Sequence, residues 1–321
     1  VGTGPLVTSA GAVSAATGTD AAVDAASTAV RWLAYLGVVL LGGLAFVVLC
    51  RPAARTDPRA RRLLSGGAAL VAATTAAAFL LQGPYAAGRD FEAVFDTGLL
   101  ADTLRVAYGK LLLLRLAAVA VFAALLPRLL RPELPDRLRA RYENVAMVTG
   151  FVVLLTFSAT GHPVTDRVMF FSVSADLVHF GAIAVWAGGL VQLALCLYRP
   201  APGEDLVPVA TSFSRMAAGA VTAIAISGAL LAIRIMPSLS SLWTTRFGLL
   251  VLLKVAGLAL LLAVASRSRR LVQRGLTNPE PGTTKVATDL RKLRLAVTAE
   301  VAISVVVLAL AALLTVTPPA G

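Results

Sequence analysis

A chain of 321 residues that is 58% hydrophobic and 14% charged, with a mean hydropathy of +0.82, is too apolar for a soluble domain of that length and reads as a polytopic membrane protein. A net charge of +12 would suit a nucleic-acid partner if the cations clustered on polar and aromatic surface. They lie between apolar runs instead, so nucleic acid is set aside and the charge reports topology. Two cysteines, Cys50 and Cys196, cannot build a disulfide framework.

In chain order, residues 1–27 are rich in Ala, Gly, Ser and Thr and hold no Lys or Arg. They lack the charged and apolar regions of a signal peptide and are expected to form a flexible tail. Crossing roughly 30 Å of hydrocarbon takes about 20 apolar residues. Runs of that kind follow at 28–50, 63–82, 106–126, 144–161, 171–198, 213–235, 247–266 and 295–316. The expected fold is all-α, an eight-helix membrane domain over 28–316 with a short tail at 317–321.

Lys and Arg between the runs set the orientation. The first connection holds Arg51, Arg55, Arg59, Arg61 and Arg62, the third Arg128, Arg131, Arg137, Arg139 and Arg141, and the seventh a further cluster between Arg267 and Arg294. These are expected on the cytoplasmic side, joined by the weakly basic fifth connection with Arg199 and Arg215. The second connection carries Asp90, Glu92, Asp96 and Asp102 and is expected outside. There Phe91, Val94, Phe95, Leu99 and Leu100 would let it lie in the interface as an amphipathic lid helix. Eight spans put both termini outside, with His162, Met169 and Met236 near the outer surface.

The chain also repeats itself. Tyr108-Gly109 followed by Arg115 in the third run matches Phe247-Gly248 followed by Lys254 in the seventh, and Gly42-Gly43 in the first run matches Gly188-Gly189 in the fifth. Two four-helix halves in the same orientation are expected, a parallel repeat about an axis along the membrane normal. The paired small residues would let neighbouring helices approach closely.

The fifth run departs from a plain apolar helix. Across residues 169–190 it carries Asp176 and His179, three positions apart and therefore on one helical face. Each charge inside a bilayer costs about 2.5 to 3.5 kcal/mol on insertion scales, so the pair marks a functional site facing the bundle interior. Arg115, Lys254 and Glu300 are the other charges expected within the membrane. Lys254 is expected to pair with Glu300, and Arg115 is a second partner for Glu300 or Asp176. Structural pairing is their ordinary role, and a proton or counter-charge relay is the bolder one.

One ordered set of residues carries a resemblance. Phe213-Ser214-Arg215, Ser227-Gly228, Trp243-Thr244-Thr245, Phe247-Gly248, Leu253-Lys254, the Arg267 to Arg270 cluster, Leu290-Arg291-Lys292-Leu293-Arg294 and Glu300 follow His179 and Trp186-Ala187-Gly188-Gly189. The set resembles the bacterial copper resistance protein D (CopD) family, most strongly over 213–316. The resemblance implies an eight-span inner-membrane protein that carries copper inward from the periplasmic side, often beside a soluble CopC-type carrier. The 27 residues before the first run are too few for a fused carrier, so a separate one is expected. With no nucleotide-binding loop and no Asp-Lys-Thr-Gly motif, neither ATP-driven export nor enzymatic activity is expected.

Cu(I) prefers thiolate and thioether ligands and accepts imidazole, whereas Cu(II) prefers imidazole and oxygen. By depth the candidate ligands sort into an outer group, His162, Met169, Asp176, His179 and Met236, and a softer inner group, Cys50, Met147, Cys196 and Met216. That order suits a metal arriving oxidised or carrier-bound and leaving as Cu(I). Most of these residues have an ordinary account, since methionine fills core gaps and a buried cysteine behaves as a small hydrophobe. His162, in Thr160-Gly161-His162-Pro163, can simply close a helix end. His179 is the exception, with Asp176 either ligating directly or fixing its tautomer. Two other functions stay open. One is a haem-binding or redox protein with His162 and His179 as axial ligands, since the CopD family is related by fold to the haem-associated protoporphyrinogen oxidase group HemJ. The other is an assembly subunit delivering copper to a copper enzyme.

Overall fold

The structure, a computed structural model, describes residues 21–160, 169–200, 204–235, 240–277 and 283–314. Every regular element among them is helical, as a lipid-facing backbone must be when no water is present to satisfy it. Helix α1 (Ala21–Gly42) and its continuation α2 (Leu44–Leu49) meet at the Gly42-Gly43 pair. There follow α3 (Pro58–Ala87), α4 (Thr97–Arg105), α5 (Ala107–Leu129), α6 (Asp136–Ala159), α7 (Met169–Tyr198), α8 (Leu206–Ile235), α9 (Ser241–Thr244), α10 (Arg246–Thr277) and α11 (Thr283–Leu314). Among the described residues six helical stretches are long and apolar enough to cross a membrane: Ala21–Leu49, Pro58–Ala87, Ala107–Leu129, Asp136–Ala159, Phe171–Tyr198 and Leu206–Ile233. The last two expected runs also fall on helices, but α10 carries only the shorter apolar stretch Gly248–Leu260.

The helices outrun the apolar sequence. Helix α3 begins at Pro58 because the Asp57 side chain accepts from the Arg59 backbone N–H and proline suits the first helical position. It stops at Gly88, whose φ of 62° is the left-handed conformation that glycine adopts without strain. Helix α6 starts at Asp136 and α8 at Leu206. The expected connection from Arg267 to Arg294 is mostly helix, with α10 reaching Thr277 and α11 starting at Thr283. Arginine and lysine are good helix formers whose stems lie along apolar surface while the head reaches water. Charge therefore ends the apolar run without ending the helix. Similarly α1 starts at Ala21, within the stretch expected as tail, and buries Val23 completely.

The expected lid helix is two pieces, a 3-10 turn at Phe91–Phe95 and α4. Between them Asp96 accepts from the backbone N–H groups of Gly98 and Leu99, which starts a new helix rather than continuing the turn. Helix α4 lies on α3 at Gly83, where a Cβ would stand 2.6 Å from the Leu99 Cβ. Val94 is buried, while Phe95 is 77% exposed.

Buried apolar residues form two main clusters. One joins α1, α3, α5 and α6 through Leu41, Val71, Phe122 and Val153. The other joins α2, α7, α8 and α11 through Phe46, Leu190, Phe213 and Val297. They meet where α1 crosses α7. A Cβ on Gly42 would collide with the Ala184 carbonyl, and one on Gly188 with the Val39 carbonyl, so only glycine permits this approach.

Arginines tie one end of the bundle together. Arg51, beyond α2, makes a two-pronged pair with Glu204, Nε to Oε1 and Nη2 to Oε2 at 2.6 Å each, and Nη1 lies 3.4 Å from Asp57. The hydrogen bonds from Arg51 to Glu204 hold the guanidinium more firmly charged than an ordinary arginine, against the opposing effect of burial. Arg55 pairs with Glu143 of α6 at 3.0 Å, Arg61 donates to the Leu130 carbonyl, and Arg294 donates to the Leu197 carbonyl. The Phe91–Phe95 turn and α4 lie at the opposite, acidic end.

Candidate metal centre

Three helices bring chemistry to one depth. His179 lies ten residues along α7 from Met169, Lys254 eight along α10 from Arg246, and Ser227 eight from Ile235 at the end of α8. At 1.5 Å per residue all three are about 12 to 15 Å from the acidic end, near the middle of a hydrocarbon layer roughly 30 Å thick.

The imidazole of His179 is held by one nitrogen. Nδ1 faces the Ile224 carbonyl oxygen at 3.1 Å and Ser227 Oγ at 3.1 Å. A carbonyl only accepts, and the Ser227 hydroxyl donates its own proton to the Ala223 carbonyl. Both neighbours therefore require Nδ1 to be the donor, which assigns the tautomer and leaves the lone pair on Nε2. The ring lies against α8 at Gly228, where a Cβ would stand 3.0 Å from its Cε1. Nε2 points inward, 3.4 Å from Lys254 Nζ.

Asp176 is one turn from His179 on the same helix. Its carboxyl faces the Ser158 hydroxyl of α6 and is close enough to Lys254 for their charges to attract. Ser158 is fully buried and has no hydrogen bond of regular geometry. Asp176, His179 and Lys254 thus form one polar group enclosed by α6, α7, α8 and α10. Among the described residues no three His, Cys, Asp or Glu side chains gather as a metal site, so Asp176 and His179 stand as a pair.

The remaining candidates are distributed as follows. His162 and Met236 lie outside the described residues, and of Met169 only the backbone, at the start of α7, is described. Lys254 is set against His179 rather than Glu300. Glu300 is buried on α11, six residues from Arg294 at the arginine-rich end, and the two charges sit at different depths. Arg115 is 5% exposed and engages neutral groups: Nε donates to Thr156 Oγ1 at 3.0 Å, and Nη2 donates to the Thr156 carbonyl at 2.9 Å. Its guanidinium also stacks 3.5 Å over the Phe157 ring. In the inner group Cys50 Sγ lies 3.9 Å from Met216 Sδ, and Cys196 is fully buried in the same cluster. Met147 is 68% exposed on α6. Sequence reasoning did not single out the Ile224 carbonyl, Ser227, Gly228 or Ser158 as parts of the site. Ser227-Gly228, a small polar pair within an apolar helix, was the signal available.

Taken together, the fold and this polar group define a helical multi-pass membrane protein with an ionisable histidine, aspartate and lysine inside the bundle. Residues 22–167 match the family described as Copper resistance protein D-like, N-terminal domain, and residues 207–314 match Copper resistance protein D. The two matches take in most of the chain, which belongs to the copper resistance protein D family. It is 29% identical over 315 residues to Copper resistance protein D of Pseudomonas syringae pv. tomato, covering 90% of this chain and 95% of that one. It is 26% identical over 243 residues to Copper transport protein CutJ of Bacillus subtilis (strain 168), covering 73% of this chain and 44% of the relative, so the match takes in less than half of CutJ. No solved structure matches. Asp176 and His179 fall between the two matched stretches, whereas Ile224, Ser227, Gly228 and Lys254 fall inside the second.

Proposed function

We propose that this chain is a copper carrier of the cytoplasmic membrane rather than an enzyme, moving copper inward, with Nε2 of His179 and the Asp176 carboxylate as ligands in the outer half of the bilayer. The observation that carries it is the clamped imidazole. With Nδ1 committed to α8, the Nε2 lone pair faces the interior in the manner of metal-binding histidines whose other nitrogen is held by a carbonyl. Asp176 supplies the negative charge that draws a cation to this depth. Lys254 balances that charge when the site is empty and gives way when copper takes the lone pair. The family and both relatives are named for copper and none for haem, which favours copper over the haem reading.

The carrier has eight spans in two similarly oriented halves. Supporting this, α1 packs on α3 as α7 does on α8, α5 on α6 as α10 does on α11, and α6 meets α7 as α11 meets α1. The arginine-rich end is cytoplasmic by the distribution of positive charge, which leaves both termini and α4 outside. A separate CopC-type carrier would deliver copper there.

Copper accumulation tests the reading in cells expressing wild type, His179→Ala or Asp176→Asn at matched membrane levels. His179→Ala is expected to remove at least nine-tenths of the accumulation above an empty-vector control, and Asp176→Asn most of it. Wild-type accumulation in both variants would overturn the ligand assignment. Normal cellular copper on deletion, with loss of a copper enzyme, would point to the assembly role instead.

A further inference from the structure

We infer that the sulfur cluster at the arginine-rich end is a Cu(I) site, formed by Cys50 Sγ beyond α2 and Met216 Sδ on α8, with Cys196 on α7 as its third sulfur. The two committed atoms come from residues 166 positions apart and lie 3.9 Å from each other. A metal bound to both at about 2.3 Å, the usual metal to thiolate length, would subtend roughly 115° between them, an angle between tetrahedral and trigonal. The sulfur atoms therefore already stand where a shared Cu(I) would put them. The chain has only two cysteines, and both are buried in the apolar cluster shared by α2, α7, α8 and α11, Cys50 8% exposed and Cys196 0%. Sulfur donors in apolar surroundings select Cu(I) over harder cations.

Thiolate is the form that binds metal, so two thiolates and one Cu(I) would carry a single negative charge. Each thiol that binds releases its proton, the S–H bond giving way to an S–Cu bond, and no electron is transferred. Arg51, locked to Glu204 and near Asp57, closes the cluster toward the end of the bundle. The ordinary account of these residues is apolar packing, and the test separates the two.

The purified full-length chain in detergent is titrated with Cu(I) under ascorbate against the chromophoric chelator bicinchoninate, and its copper X-ray absorption is recorded. Wild type is expected to hold Cu(I) with sulfur scattering. Cys50→Ser and Met216→Leu are each expected to weaken binding at least tenfold, and Cys196→Ser to remove part of the sulfur signal. Wild type without the Cys50- and Met216-dependent sulfur signal, in cells where His179→Ala still abolishes accumulation, would defeat this site and leave the uptake reading standing, so the two failures are distinguishable. Binding by Cys50→Ser and Met216→Leu equal to wild type, or scattering from nitrogen and oxygen alone, would overturn the site. Should Cys50→Ser fold poorly, Cu(I) must protect Cys50 of the wild type from maleimide alkylation, and equal alkylation with and without Cu(I) would count against it.

Discussion

His179 has one nitrogen spent on the scaffold and one left for chemistry, and Gly228 makes room for that division. An alanine there would place a Cβ 3.0 Å from the imidazole Cε1, closer than ordinary packing allows, and would turn the ring off the Ile224 carbonyl. Gly228→Ala is expected to cut copper accumulation several-fold at unchanged expression. Gly219→Ala on the same helix, with no atom within 4 Å of the new Cβ, is expected to behave as wild type; equal losses in both would mean that the helix rather than the ring is being read. Lys254→Met removes the cation that competes for Nε2 and is expected to tighten copper binding several-fold in a Cys50→Ser, Cys196→Ser background. Unchanged affinity there would remove the lysine from the site. Asp176 and His179 were legible in the sequence because an ionisable residue in an apolar run is conspicuous by composition alone. The other half of the imidazole's environment was not, because a backbone carbonyl 45 positions away, at Ile224, has no residue type to betray it. Lys254 was legible as a buried charge, but its partner depends on depth and helix facing together.

Helix identity was readable from apolar run length, and helix ends were not, since Asp57 with Pro58 and the arginine stems extend the helices past the point where hydrophobicity stops. The glycine pairs were visible as a pattern, and packing explains them. Gly188→Ala would drive a methyl into the Val39 carbonyl, a clash with backbone that no rotamer change relieves. It is expected to cost about 1 to 3 kcal/mol or more, the range for overpacked interiors, read as a lowered thermal transition in detergent. Gly66→Ala on α3, which meets nothing within 4 Å, is expected to be neutral or to stabilise by up to about 1 kcal/mol through helix propensity. A Gly188→Ala protein as stable as wild type would show that the crossing is loose.

At the scale of the whole molecule, the arginine-rich and acidic ends are opposite faces, and their sidedness can be measured. In a Cys50→Ser, Cys196→Ser background, the exposed positions Glu92 and Arg137 are replaced singly by cysteine and treated with an impermeant thiol reagent on spheroplasts. Glu92→Cys is expected to react at once and Arg137→Cys only after the membrane is opened; the reverse pattern would invert the topology. The contact between α1 and α7, backbone against backbone at Gly42 and Gly188, divides α7 between two stations. His179 lies nine residues to one side of Gly188 and Cys196 eight to the other, about 13 Å and 12 Å at 1.5 Å per residue. Any path from the imidazole to the sulfurs therefore runs past a crossing with no room for even a Cβ.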